Sequence, residues 1–398
     1  MAASTENPRV PAPGMHLATI GGVPVYIGRS WPVIAVVIVA IFGPGIADDR
    51  PDLGLGAYVV ALVFAVLLLI SVFAHEAAHA VVATRVGYRV NRVVADLWGG
   101  HTAYDSSSAR PGASALVAIA GPAANALLAV VGWLAMPAVP LGGVTSLLVG
   151  AIVYTNAFVA AFNLLPGLPL DGGFLVDSLV WRVTGSRESG LIAAGWCGRV
   201  VTVLVVVWFL GRPLLSGQPP DLFNVVWALF IGSFLWVGAT NAIRAGRGSR
   251  LLAGIRIDSV WRPAASLPPQ ASAAQALALR AGGPGAAGGP DGAGGPRGTV
   301  VVVEDDGRNA IGLLDDEALL AIPEHLLAGV AVTSVMRRQP DGWVVAATPD
   351  QSIAAVVGTM QTLGIGAVPV RGPDGRIVGI VLAGDLEAAL SRRPAPPT

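Results

Sequence analysis

The segment His75-Glu76-Ala77-Ala78-His79 carries the densest chemistry in the chain. An H-E-x-x-H spacing inside a helix sets both imidazoles on one face, one turn apart, where they can share a cation. Glu76 follows the first imidazole and can approach a water on that cation without being a ligand itself. A zinc ion lowers the pKa of such a water from about 15.7 to about 7, so a carboxylate suffices as general base. The segment lies inside a long apolar run. On insertion scales a charged residue at the centre of a membrane span costs roughly 2.5–3.5 kcal/mol. Three ionisable groups in that setting therefore point to function and not to packing.

A catalytic metal needs a third protein ligand and an open position. The chain has one cysteine, Cys197, which excludes a thiolate-built site and an internal disulfide. The remaining candidates are the other histidines and the carboxylates. His16 and His325 lie in segments that read as soluble. Asp171 stands out in the stretch Asn163–Gly173, NLLPGLPLDGG. There Pro166 and Pro169 break the helix and Gly172-Gly173 permit a tight reversal, so a rigid helix end could aim the carboxylate at the metal. The alternative for Asp171 is a plain helix-ending turn.

The elements that must position these groups follow from the distribution of charge. Hydrophobic residues make up 54% of the 398 and charged residues only 13%, about half the charge of ordinary soluble domains. The deficit is concentrated in 31–245. A bilayer core needs about 20 apolar residues as helix, and six spans are expected: Ser30–Ile46, Leu55–Thr84, Ala113–Val139, Val144–Leu165, Leu191–Leu210 and Leu222–Ala242. Arginines cluster in alternate connections (Arg85, Arg89, Arg92 and Arg110; Arg182 and Arg187; Arg244, Arg247 and Arg250), which predicts a multi-pass cell-membrane protein with both termini cytosolic. Residues 1–29 read as an N-terminal cytosolic segment without a signal peptide. Between Val86 and Arg110, alternating apolar positions predict short strands interrupted by Gly99-Gly100. A net charge of zero gives no case for nucleic acid as partner.

Residues 246–398 read as a soluble chain with an internal repeat. Ile257–Arg262 (IDSVWR) matches Val332–Arg337 (VTSVMR), and each is followed by a helix-like segment and a strand–turn–strand ending. A Gly/Pro/Ala tract at 281–298 interrupts the first copy and reads as a flexible loop.

The H-E-x-x-H pattern in one span, with N-x-x-P-x-x-P-L-D-G-G at a later one, resembles the site-2 proteases, which are intramembrane zinc metalloproteases. Ala120-Gly121-Pro122 with Asn125 resembles a further recurring segment of that group. The tail resembles that of the bacterial subgroup ending in paired cystathionine-β-synthase (CBS) modules. The fold this implies is a multi-span α-helical membrane protein with a C-terminal cytosolic α/β CBS-pair domain. The resemblance implies zinc on His75, His79 and Asp171, with Glu76 activating water. It implies Asn163 as donor to the developing oxyanion, the alternative being a cap for broken-helix backbone. The strands of 86–101 resemble an element that pairs with unwound substrate. His101 reads as an interfacial histidine, or else as a gate or substitute ligand. The implied activity is regulated intramembrane proteolysis of a membrane-anchored protein, such as an anti-sigma factor or a tethered transcription factor. The alternative class is a non-proteolytic metal-binding transporter or channel gated by the tail. In CBS pairs an adenine nucleotide is held partly by a hydroxyl and an aspartate after the last strand. The second copy keeps Asp385 but has Leu382 at the hydroxyl position, and Ala318 replaces the aspartate in the first copy. Homodimerisation or substrate docking through the tail is the other implied role.

Overall fold

The computed structural model describes residues 14–20, 23–96, 99–105, 109–282, 299–305 and 308–391. Its contacts divide the chain into two units, Met1–Arg247 and Gly248–Thr398.

The first unit opens with strands Gly14–Ile20 (β1) and Val23–Gly28 (β2), then helices Trp31–Asp49 (α1) and Gly56–Arg85 (α2). Strands Arg89–Asp96 (β3) and Gly99–Asp105 (β4) follow, then helices Pro111–Ala135 (α3), Val144–Asn163 (α4), Asp171–Thr184 (α5), Arg187–Leu215 (α6) and Leu222–Ala253 (α7). Among the described residues six helices are long and apolar enough to cross a membrane, namely all of these except α5. They coincide with the six spans expected from the sequence. Their outward faces keep large apolar side chains exposed, including Val36, Leu127, Val130, Leu204 and Val207. Lipid can solvate such surface, and helices are the form in which backbone groups are satisfied there.

Local chemistry sets the helix ends. Pro111 occupies the first turn of α3, where its missing N–H costs nothing. Gly185 ends α5 in the left-handed conformation at φ 71°. The Ser186 side chain then caps α6 by accepting from the Ser189 N–H at 3.1 Å. α3 lies at the centre of the bundle and packs on α2, α4 and α5.

The four strands form one sheet in the order β1-β2-β3-β4. β2 and β3 run parallel, and the other neighbours are antiparallel. Residues 14–28, within the polar 1–29 segment, thus supply half the strands of a sheet whose other half lies in 86–110. The sheet packs against α2, the helix of the H-E-x-x-H motif.

The second unit contains a seven-stranded sheet. Its first copy comprises Trp261–Leu267 (β5), Ala273–Gly282 (α8), Val300–Glu304 (β6), Ala310–Leu314 (β7) and Asp316–Leu320 (α9). The second comprises Met336–Arg338 (β8), Val345–Ala346 (β9), Ala354–Leu363 (α10), Ala367–Arg371 (β10), Ile377–Leu382 (β11) and Ala383–Ser391 (α11). The strand order β8-β7-β6-β5-β11-β10-β9 shows that the copies exchange strands. β5 pairs with β11 of the second copy, and β8 pairs with β7 of the first. Each copy closes its sheet only with the other, and buried Val302, Trp343 and Ile380 share one core across the junction. Of the tract at 281–298, residues from 283 onward lie outside the described residues.

Candidate metal centre

His75, Glu76 and His79 lie on α2 and are all buried. The two imidazoles stand edge to face with ring centroids 4.7 Å apart, and their Nε2 atoms are 3.1 Å apart. Asp171, the first residue of α5, brings its Oδ2 to 3.1 Å from His75 Nε2 and 3.5 Å from His79 Nε2. Two elements far apart in sequence therefore place three donor atoms at one point.

A short loop after α4 brings Asp171 there. The Leu168 N–H donates to the Ala194 carbonyl of α6 at 3.2 Å, and Leu170 closes a turn onto Gly167 at 3.0 Å. Gly167 lies directly on Gly198 of α6, where a Cβ on either residue would collide with the other's backbone or with Leu168. The Gly172-Gly173 pair does not form the reversal expected from the sequence. Both glycines belong to the first turn of α5, and a Cβ at Gly172 would strike the carbonyls of Leu164 and Leu165. They permit close approach of backbone, so α5 starts tight against the end of α4 with the Asp171 carboxylate at its N-terminus. That end of a helix favours a negative charge. Further along α5, Asp177 is sealed against Gly190, and burial pushes its carboxyl up to about 6 despite the pull of Arg187.

Hydrogen bonds fix which nitrogens of the two histidines face the centre. His79 Nδ1 donates to the Val117 carbonyl of α3 at 2.7 Å. His75 Nδ1 donates to Asn125 Oδ1, also on α3. The direction of that second bond is set from further away. Asn156 Nδ2 donates to the Ile152 carbonyl at 2.9 Å, which turns Asn156 Oδ1 towards Asn125 Nδ2 at 2.7 Å. Ser71 Oγ also donates to Asn156 Oδ1. Asn125 must then present its oxygen to His75, and His75 must carry its proton on Nδ1. Both Nε2 atoms are left with bare lone pairs, and both face a carboxylate oxygen that is buried without a hydrogen-bond partner. Three donor atoms converging in this way form a site that suits a metal cation.

Room for that cation is built in. A Cβ at Gly121 of α3 would stand under 3.0 Å from the Nε2 atoms of both histidines. The absence of a side chain there keeps open the point towards which the lone pairs converge. Two imidazoles and a carboxylate suit a four-coordinate ion such as zinc with one position left for water. Among the described residues no other cluster of His, Cys, Asp and Glu could hold a metal.

Asn163 ends α4, half-buried, next to the loop that delivers Asp171. Asp385 lies in the other unit, at the start of α11, where Arg262 holds its carboxylate through two hydrogen bonds of 2.6 and 2.8 Å. The backbone of His101, in β4, pairs with Val94 of β3, and the His101 side chain lies outside the described residues. Sequence reasoning did not foresee Ser71, Asn156 or the Val117 carbonyl. The available signal was polar residues inside apolar spans, where each is costly unless partnered. Replacing Asn156 with Leu should therefore lower metal affinity about 10–100-fold, the usual cost of losing an outer-shell partner. Competition with a graded chelator would measure it, and an unchanged affinity would remove Asn156 from the relay.

Residues 63–144 and 138–207 match the model of peptidase family M50, and residues 332–392 match that of the CBS domain. "Putative zinc metalloprotease sll0528" of Synechocystis is 31% identical over 231 residues, covering 58% of this chain and 60% of that protein. "Putative zinc metalloprotease Rip3" of Mycobacterium tuberculosis is 37% identical over 198 residues, covering 48% of this chain and 49% of its own. The match thus spans between about half and three fifths of the length of these relatives. A solved site-2 protease from Methanocaldococcus jannaschii covers 58% of this chain and 95% of its own, at 19% identity and a TM-score of 0.40. Residues 63–207 thus carry a peptidase family M50 domain, set among six helices long and apolar enough to cross a membrane, and a CBS domain follows them.

Proposed function

We propose that this chain is an intramembrane zinc metalloendopeptidase that cleaves a membrane-anchored protein within or beside its transmembrane segment. The supporting observation is the convergence of His75, His79 and Asp171 on one point beside a buried glutamate. In this reading His75, His79 and Asp171 hold the ion, which supplies a Lewis acid to the scissile carbonyl and makes water a stronger acid. Glu76 takes the proton from the attacking water and returns it to the leaving amide nitrogen. Asn163 donates an N–H to the carbonyl oxygen as its charge develops. A substrate span hides its amides in helical hydrogen bonds, so it must unwind before it can be cut.

The arginine distribution supports cytosolic termini, with residues 30–245 as the protease domain and 246–398 as a tandem CBS regulatory domain. The substrate class is a membrane-tethered regulator, such as an anti-sigma factor or a transcription-factor precursor. In the second unit the Arg262–Asp385 pair joins the two copies, which favours a docking or dimerisation role over ribose binding by Asp385. The test is comparative membrane proteomics of cells carrying wild type or Glu76→Gln. Fragments found only with wild type identify the substrate, and identical profiles in both would contradict the protease reading.

A further inference from the structure

The interior of α6, away from its two ends, holds one charge that the metal centre does not use. Arg199 lies midway along α6, about 18–20 Å from Arg187 at one end and from Arg212 at the other. Its guanidinium sits between two indoles, 4.7 Å from the ring centroid of Trp196 and 4.8 Å from that of Trp236 on α7. Nη2 donates to Thr240 Oγ1 at 3.3 Å, and Nε is buried without a hydrogen-bond partner. Among the described residues no carboxylate pairs with it.

Arginine remains charged in any protein setting and carries five N–H donors. Here one donor is used, and two ring faces supply attraction without neutralising the charge. The cluster faces outwards. Trp196 is 49% exposed and Trp236 45%, and the adjoining Val200 and Val237 are more exposed still. An anion for Arg199 must therefore come from the lipid side.

The geometry also sets a depth. Helical side chains lean towards their helix N-terminus, so Arg199 leans towards the Arg187 end of α6. It meets α7 at Thr240, one turn or about 6 Å before Arg244. Trp236, Thr240 and Arg244 recur every four residues and form one stripe of α7. Arg244 is exposed, and it too has no ion-pair partner among the described residues. A deep guanidinium between indoles and a shallow one on the same stripe make a ladder from hydrocarbon to headgroup. Tryptophan is the residue enriched at that boundary.

We propose that Arg199, Trp196, Trp236, Thr240 and Arg244 form a binding site for an anionic phospholipid, with its phosphate between the two arginines and an acyl chain along Val200 and Val237. The seam between α6 and α7 that this lipid would clamp is also the seat of the Asp171 loop. Leu168 rests on Gly198, beside Arg199, and Pro169 rests on Gly238, beside Val237. Occupancy should therefore stiffen the support of the third metal ligand.

The test uses the full chain purified in detergent and doped with phosphatidylglycerol, phosphatidylcholine or inorganic phosphate. Retained lipid is counted by native mass spectrometry, and thermal unfolding is followed in parallel. Wild type is expected to retain phosphatidylglycerol over phosphatidylcholine and to gain thermal stability from it, with no gain from inorganic phosphate. Arg199→Gln should lose about tenfold in phosphatidylglycerol retention, and Arg244→Gln about fivefold, the usual weight of one basic residue near an anionic headgroup. A cooperative thermal unfolding transition in detergent without added lipid reports that each variant is folded. Should Arg199→Gln fail to fold, the exposed Arg244→Gln and the mild Thr240→Val carry the comparison. Equal retention by wild type and the variants would overturn the proposal, as would equal stabilisation by inorganic phosphate. Lost substrate cleavage in Arg199→Gln with lipid retention intact would also overturn it, by assigning the arginine to a protein segment.

Discussion

Gly121→Ala is expected to empty the metal centre while leaving the helical bundle folded. The added methyl group would stand under 3.0 Å from both histidine Nε2 atoms, at the point where their lone pairs converge. The imidazoles cannot simply swing aside. His75 is tied through Asn125 and His79 through the Val117 carbonyl, both on the same helix α3 that carries residue 121. The methyl group and the cation therefore compete for one volume, and metal affinity should fall on the order of 100-fold or more, beyond the loss of any single outer-shell bond. Alanine is a better helix former than glycine, so α3 itself should not suffer. The measurement is bound metal per chain by elemental analysis, beside the thermal unfolding of the purified protein. Full metal content in a folded Gly121→Ala protein would show that the ion sits elsewhere.

Glu76→Gln is expected to give the opposite separation, with metal retained and cleavage lost. The amide has the size of the carboxylate and fits the same buried place on α2, so the three ligands keep their geometry. What disappears is the base. General acid–base catalysis contributes about 100- to 10,000-fold, and Glu76 is asked to serve in both directions, so cleavage of a tagged membrane substrate should fall towards the upper end of that range. Retained cleavage at the wild-type rate would remove Glu76 from the chemistry. Loss of metal in this variant would instead make the glutamate a structural partner of the ligands.

Much of this centre was legible in the sequence because its first part is local. Four-residue spacing on one helix needs no tertiary knowledge, and the cost of ionisable groups among apolar residues makes the cluster conspicuous. Asp171 was legible as a carboxylate at a broken helix end, but its setting was misread. Gly172-Gly173 suggested a reversal because glycine is usual where the chain turns. The glycines are instead required by the carbonyls of Leu164 and Leu165, which only the folded chain brings near. The relay through Asn125, Asn156 and Ser71 joins three helices, and its members have no shared spacing to reveal it. Strands β1 and β2 were hidden for a related reason. Their partner β3 lies beyond two membrane helices in sequence, and a short polar stretch with one alternation is a weak strand signal. In the second unit the repeat was visible in IDSVWR and VTSVMR, but not the exchange of β5 and β8 between copies, which depends on pairing alone.

The proposal that His75, His79 and Asp171 hold one ion is tested most directly by X-ray absorption spectroscopy on the purified protein with bound zinc counted in parallel. The prediction is one zinc per chain, with two imidazole nitrogens at about 2.0–2.1 Å and light oxygen ligands at about 2.0–2.2 Å. Asp171→Ala should then lose zinc or show one protein ligand fewer. A wild-type protein that retains no zinc, or an Asp171→Ala protein with unchanged stoichiometry and an unchanged coordination shell, would contradict the assignment.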